Sequence, residues 1–283
     1  MKKVGKVLGL VLAASCVMGM AGCNGEKQEI GKDFVAATSQ LDALTKLEQG
    51  VADVAVIDSV MAGYYTTNGD YANSLQMVDG LVLADEQYGI AGRKGDEAFV
   101  SKINEALFAL RTTAYAELTT EYGLTASVAL TGNETNPYAN ATDNSWTEIQ
   151  EAGKFIVGYT IFAPIAFEDD TAACGLSGFD IELAQAVAAY LEVEVEFKEI
   201  DWNSKEALLE NGTIDLVWNG MTITDDRAAA MCISVPYLYN KQVAIIRKED
   251  ASKYTSKESM KNATMTAESG SAGETVIKGE KDK

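Results

Sequence analysis

The 283-residue chain contains no histidine, and this absence alone removes a His-based catalytic triad, a His-ligated zinc or haem site and an imidazole pH switch. Basic residues are also scarce. Lys and Arg number 23 against 42 Asp and Glu, a formal charge of −19, whereas a nucleic-acid backbone calls for clustered cations that release its counterions. Of the four cysteines, Cys16 and Cys23 fall near the N-terminus. Cys174 and Cys232 remain, and they either pair in an oxidising space or stand free, Cys232 lying in the apolar run before Ser234. No metal cage or cofactor site is legible: Asp169-Asp170 and Asp225-Asp226 each read more simply as a solvated turn or as a helix N-terminus, next to which negative charge is favourable. The apolar run from Val7 to Gly22 is too short for the roughly 20 residues that a membrane-spanning helix needs.

What is present is substantial. With 47% apolar residues the chain can bury a core of one large domain or two lobes. Lys2, Lys3 and Lys6 precede the apolar run, which ends at Met20-Ala21-Gly22-Cys23. This is the pattern of a lipoprotein leader, so residues 1–22 are expected to be removed, Cys23 to carry lipid and residues 23–34 to form a tether. Without the three leader lysines, 20 basic residues face the same 42 acidic ones.

One phrase is written twice. Leu41, Leu44 and Leu47 mark a helical face that ends at Gly50, and Asp53-Val54-Ala55-Val56-Ile57-Asp58 follows as a buried strand. Leu208-Leu209 sits in a second helical stretch ending at Asn211-Gly212, followed by the strand Asp215-Leu216-Val217-Trp218 and then Asn219-Gly220-Met221-Thr222. Both copies run helix, glycine, two residues, Asp, strand, then polar groups at the strand's carboxyl end, where open α/β sheets bind ligands. Two α/β lobes facing each other follow from this. Phe155–Tyr159 and Val193–Phe197 read as further strands, while Phe179, Leu183, Val187 and Leu191 give an amphipathic helix. Val100, Ile103, Leu107 and Leu110 mark another helix, with a shorter one from Tyr115 to Tyr122. Gln87–Lys94 and Gln242–Lys248 are extended and end in basic pairs, as strands crossing between lobes would. The Asn-rich stretch Thr131–Ser145 has no apolar period and reads as a linker.

From Phe155 to Lys283 the chain resembles the first half of the family-3 solute-binding proteins of bacterial ABC importers, receptors for polar amino acids. The motifs that carry the resemblance are Phe162-Ala163-Pro164, Gly178-Phe179-Asp180-Ile181-Glu182-Leu183-Ala184, Asn219 to Thr224, Arg227, Ser234-Val235-Pro236-Tyr237 and Ser269-Gly270-Ser271. Val35 to Leu124 resembles the second half, through Leu41-Asp42-Ala43-Leu44, Gly50, Asp53, Asp58 and Gln87-Tyr88-Gly89-Ile90-Ala91. The halves stand in reversed order. The resemblance therefore implies a two-lobed α/β periplasmic-binding-protein (Venus flytrap) fold of type II with two hinge strands, circularly permuted. The expected segments are 35–87 and 247–283 in lobe 2, 88–130 and 147–246 in lobe 1, and 131–146 as the permutation linker.

The resemblance also implies roles. A free amino acid is a zwitterion, and Arg227 would fork its α-carboxylate with donors from Thr222, the backbone at Gly220, and Ser271 from the other lobe. Asp58 would pair with the α-ammonium. Phe162 and Trp202 would wall the ligand side chain, with Tyr159, Asn219 and Glu268 setting specificity and Glu268 favouring a cationic or donor-rich side chain. The expected protein is a monomeric, lipid-anchored extracytoplasmic receptor that delivers an amino acid to an ABC permease and catalyses nothing. The alternatives are an amino-acid-sensing module for a signalling partner and a cyclohexadienyl-dehydratase-like enzyme.

Overall fold

A computed structural model describes residues 29–67 and 69–279. The leader, Cys23 and the first half of the tether lie outside them. In chain order the elements are β1 (Asp33–Ala37), α1 (Gln40–Glu48), β2 (Val54–Asp58), α2 (Ser59–Thr67) and the long β3 (Leu75–Gly92). Then come α3 (Glu97–Leu110), α4 (Ala114–Glu121), α5 (Ser145–Ala152), β4 (Lys154–Tyr159), the short pair β5 (Phe167–Glu168) and β6 (Leu176–Ser177), and α6 (Phe179–Tyr190). The remainder is β7 (Glu194–Glu199), α7 (Lys205–Glu210), β8 (Leu216–Thr222), α8 (Asp225–Ala230), β9 (Cys232–Ile233), β10 (Leu238–Arg247), β11 (Thr264–Glu268) and α9 (Ala272–Ile277). β1 opens at Asp33, inside the stretch read as tether.

The main sheet runs β1-β11-β2-β10-β3-β8-β4-β7, with β9 beside β3. Its two halves repeat one plan. In lobe 1, β7, β4 and β8 are mutually parallel and β8 meets β3 antiparallel; in lobe 2, β1, β11 and β2 are parallel and β2 meets β10 antiparallel. The long strands β3 and β10 pair with each other from Leu75–Arg247 to Tyr88–Leu238 and carry the chain across between lobes. Only their ends were legible as extended in the sequence, because the first part of β3 mixes polar and apolar residues around Gly80 at φ +65° and pairs through register shifts.

The repeated phrase has a structural meaning in both lobes. The Asp53 side chain accepts from Thr264 N–H at 2.9 Å and its own N–H donates to Thr264 O, tying β2 to β11. Asp215 ties β8 to β4 in the same way through Ile156, at 2.8 Å. The basic residue that ends each crossing strand completes the pattern: Arg247 reaches Asp53 at 3.5 Å and the carbonyls of Leu47 and Ala52, while Arg93 reaches Asp215 at 3.9 Å and the carbonyl of Leu209.

β2 is buried on both faces, which is why it reads as an unbroken apolar run rather than an alternation. Ala55 and Ile57 join the core beneath α1 and α2, and Val54 and Val56 join Met265, Ala244 and Ile277 on the other side. Lobe 1 is filled by Phe99, Ile103, Phe155, Val157, Phe179, Leu183, Trp218 and Tyr237. Each such side chain contributes roughly 1.5–3 kcal/mol on burial. Gly178 opens α6 at φ +128°, and a Cβ there would lie 2.4 Å from Ile165 O, so no other residue fits.

The Asn-rich stretch is unstructured as expected but does not hang free. Asn136 accepts from Asn104 and donates to Ser101, Asp143 accepts from Ala98 N–H, and Glu134 folds back on Thr131 and Gly132, so it is stapled along α3 of lobe 1. Cys174 is exposed and Cys232 buried, both as free thiols. Among the described residues no helix is long and apolar enough to cross a membrane.

Candidate functional site

A narrow cleft, partly open to solvent, lies between the carboxyl ends of the parallel strands of the two lobes. Nine of the ten ligand-contact residues expected from the sequence line it: Asp58, Phe162, Trp202, Asn219, Gly220, Thr222, Arg227, Glu268 and Ser271. They arrive from elements more than a hundred residues apart. Strand ends and the turns after them deliver most of them, β2 ending at Asp58, β8 at Thr222 and β11 at Glu268.

Arg227 stands in α8, whose N-cap Thr224 accepts from Arg227 N–H at 3.2 Å. Its guanidinium donates to Thr222 O at 2.7 Å and, across the cleft, to Gly270 O at 3.1 Å, so its plane is fixed and the two lobes meet over the cavity. Ser271 caps α9 by accepting from Glu274 N–H, which leaves its hydroxyl proton available to an anion. Arg227 and Ser271 form a donor-rich pole.

Asp58 supplies a carboxylate to the same lining. It is buried and clasped by side-chain amides: Gln40 and Asn240 donate to it, as does Gln242 at 2.6 Å. Burial pushes its carboxyl up, against the pull of those hydrogen bonds. Glu268 is raised to about 8 by burial and by the charge of Asp58, and its Oε1 has no hydrogen-bond partner. Glu86, behind the cavity on β3, is likewise raised to about 8, by burial first and then by Asp58. Lys205 lies over the Trp202 ring at 4.8 Å and is lowered to about 8 by burial and by Arg227.

Three assignments change in detail. Tyr159 is absent from the cavity wall: Phe155, Val157 and Tyr159 alternate onto one face of β4, and the Tyr159 ring meets Phe197 edge-on at 6.3 Å. Strand parity therefore sends it away from the cleft, and Thr160 and Ile161 line it instead. Asn219 does line it, but its amide is committed to Thr160, accepting from its N–H at 2.7 Å and donating to its carbonyl, so it holds the β4 exit turn in place. Gly220 works through its lack of a side chain. At φ +57° a Cβ would stand 2.6 Å from the Phe162 ring, and its N–H is engaged by Asp180 and Tyr237 rather than by the cavity. Gln40, Glu86, Asn240, Gln242 and Lys205 were not singled out from sequence. The one available signal was that Gln40 stands at the start of α1 and that Gln242 opens the stretch that reads as extended in the sequence.

Buried acids make stability pH-dependent. An acid whose pKa is raised by folding contributes stability that is complete below the ordinary carboxylate range and is lost as pH climbs through its folded value. Asp180 at about 7 and Glu86 and Glu268 at about 8 all act in that direction. Lys205 acts between about 8 and its ordinary 10.5, and depressed groups such as Asp42 act only below about 4. The empty protein should therefore melt roughly 5 °C or more lower at pH 8.5 than at pH 5. Calorimetric scans across that range check this; a melting temperature that is level or rises would contradict the buried acids.

Residues 155–278 match the family of bacterial extracellular solute-binding proteins, family 3. The chain is 30% identical over 116 residues to the probable ABC transporter extracellular-binding protein YckB of Bacillus subtilis, covering 40% of each. It is 30% identical over 127 residues to the L-cystine-binding protein TcyJ of Escherichia coli, covering 44% of this chain and 46% of that one. Among solved structures, a histidine-bound substrate-binding protein of an ABC uptake transporter from Streptococcus pneumoniae is 38% identical over 32% of this chain and 36% of its own, with a TM-score of 0.29. The chain thus spans less than half the length of each of these relatives.

Proposed function

We propose, from the match of residues 155–278 to the bacterial extracellular solute-binding proteins, family 3, that the chain captures a free polar or cationic amino acid between its lobes and hands it to an ABC importer. The observation that carries this reading is a cavity lined both by the donors Arg227 and Ser271 and by the carboxylate of Asp58. Such a socket matches the α-carboxylate and α-ammonium of a zwitterion, and Phe162 and Trp202 supply apolar walls for what lies between or beyond them. Because contacts come from both lobes, a ligand favours the closed arrangement over any open one. No bond in the ligand is made or broken.

The circular permutation belongs to the same reading. Both half-sheets follow one strand plan, yet lobe 1 is threaded β4-α6-β7-α7-β8 without a break, whereas its counterpart in lobe 2 places β1, α1 and β2 far before β11 and α9. Ile30 N–H donates to Ile277 O at 2.8 Å, so the strand and helix that an unpermuted chain would join lie side by side. Anchorage through a lipidated Cys23 would tether the receptor by lobe 2.

Titration calorimetry of the mature protein against the twenty amino acids tests the receptor reading. At least one should bind, and Asp58→Asn should weaken it by about tenfold or more. Binding of none, or turnover of a cyclic acid without amino-acid binding, would replace the receptor with another function.

A further inference from the structure

Glu86 stands outside the cavity wall, on the crossing strand β3. It nevertheless accepts as many side-chain hydrogen bonds as Asp58, three each. Its Oε2 accepts from Thr222 Oγ1 at 3.2 Å, from Asn240 Nδ2 at 2.9 Å and from Gln242 Nε2 at 3.0 Å. The same two amide groups donate to Asp58 Oδ1. An unbroken polar chain therefore runs from Thr222, at the carboxylate pole in lobe 1, through Glu86 and the amides of β10, to Asp58 at the ammonium pole in lobe 2.

Resting on the receptor reading above, we infer that Glu86 is a positioning residue that couples the two poles of the socket, so that an ammonium on Asp58 strengthens the grip on the carboxylate and the reverse. Two carboxylates that share the same amide donors repel each other in a buried space, and the pair relieves this by keeping a proton while the socket is empty. An arriving ammonium removes the need for it. The proton leaves to solvent, Glu86 becomes a full acceptor, and its bond to Thr222 tightens.

The surrounding charges agree with that direction. Asp58, at the end of β2, and Tyr88, on β3, are the titratable groups that act on Glu86 or feel it directly. Glu268 on β11 bears on Asp58, with Asp201, Lys205 and Arg227 as its own charged neighbours. Burial and the charge of Asp58 already hold Glu86 at about 8, and so close to neutrality at physiological pH.

Glu86→Gln tests this, because the amide keeps the size and an acceptor oxygen for Thr222, Asn240 and Gln242 but removes the charge and its proton. The ligands are the best-binding amino acid and its analogue lacking the α-amine. For the unaltered protein, affinity for the amino acid should rise between pH 6 and 8 with release of a proton, read by calorimetry in two buffers of different ionisation enthalpy. Glu86→Gln should bind it about tenfold more weakly, without that pH slope or proton release, while affinity for the deaminated analogue changes by less than about threefold. Equal losses for both ligands, or an unchanged slope, would overturn the coupling and leave Glu86 as a structural hinge residue. If the unaltered protein binds no amino acid, the receptor reading fails on its own. The shared proton is then judged in the empty protein, where Glu86→Gln should flatten the fall of melting temperature between pH 6 and 8.5; an unchanged fall overturns it.

Discussion

Arg227→Ala should lower affinity for the captured amino acid by at least about two orders of magnitude, the largest loss expected of any single change in the cleft. Two effects add. In the proposed receptor the guanidinium is the cation that meets the ligand carboxylate, and a buried charge-assisted pair loses far more on truncation than an exposed one. It also ties the lobes together, because the group that donates to Thr222 O in lobe 1 donates to Gly270 O in lobe 2. Arg227→Lys should recover only part of the loss, since an ammonium keeps the charge but cannot reproduce the planar fork. Melting curves should barely move, as Arg227 stands at the cleft and not in the core. Titration calorimetry paired with thermal melts checks both statements, and Arg227→Ala binding within about threefold of the parent would remove Arg227 from the socket.

Asp180→Ala should be the most destabilising polar substitution, at about 2–4 kcal/mol, or roughly 5–15 °C of melting temperature. Asp180 lies in the first turn of α6, fully buried, and its Oδ2 accepts from Gly220 N–H and from the Tyr237 hydroxyl, both at 2.8 Å. Removing the carboxyl strands the Tyr237 hydroxyl proton and leaves Gly220 N–H only its longer bond to Tyr237, at 3.2 Å, beneath the floor of the cavity. Because burial holds Asp180 at about 7, Asp180→Asn, which keeps an acceptor oxygen and adds no charge, should cost much less. The same floor carries Gly220 against Phe162, so Asp180→Ala should weaken ligand binding as well. A thermal shift of less than about 2 °C for Asp180→Ala would show that Gly220 and Tyr237 find other partners.

How far the sequence could be read depended on the kind of signal each residue carries. The strands around Asp53 and Asp215 were legible because a chain buried on both faces leaves a continuous apolar run with punctuating glycines, and Gly50 and Gly212 do take positive φ there. Phe162, Trp202, Arg227, Glu268 and Ser271 were reachable through the motifs that hold them. Glu86, Asn240 and Gln242 were not. A polar residue in an extended stretch reads as solvent-facing, and only the crossing of β3 and β10 at the hinge buries these three against Asp58. Tyr159 failed for the opposite reason, since proximity in sequence to a cavity-lining turn says nothing about which face of the strand a side chain takes. Asn219 sat in the right place with its amide already spent on Thr160.

The bond between Ile30 and Ile277 has a mechanical side. The chain ahead of β1 joins the body at the β1 edge of the sheet, beside α9, where Ile30 N–H donates to Ile277 O. In the proposed receptor, a pull along that leading segment would be borne by the lobe that holds β1 and α9, and the other lobe would close about β3 and β10 without carrying it.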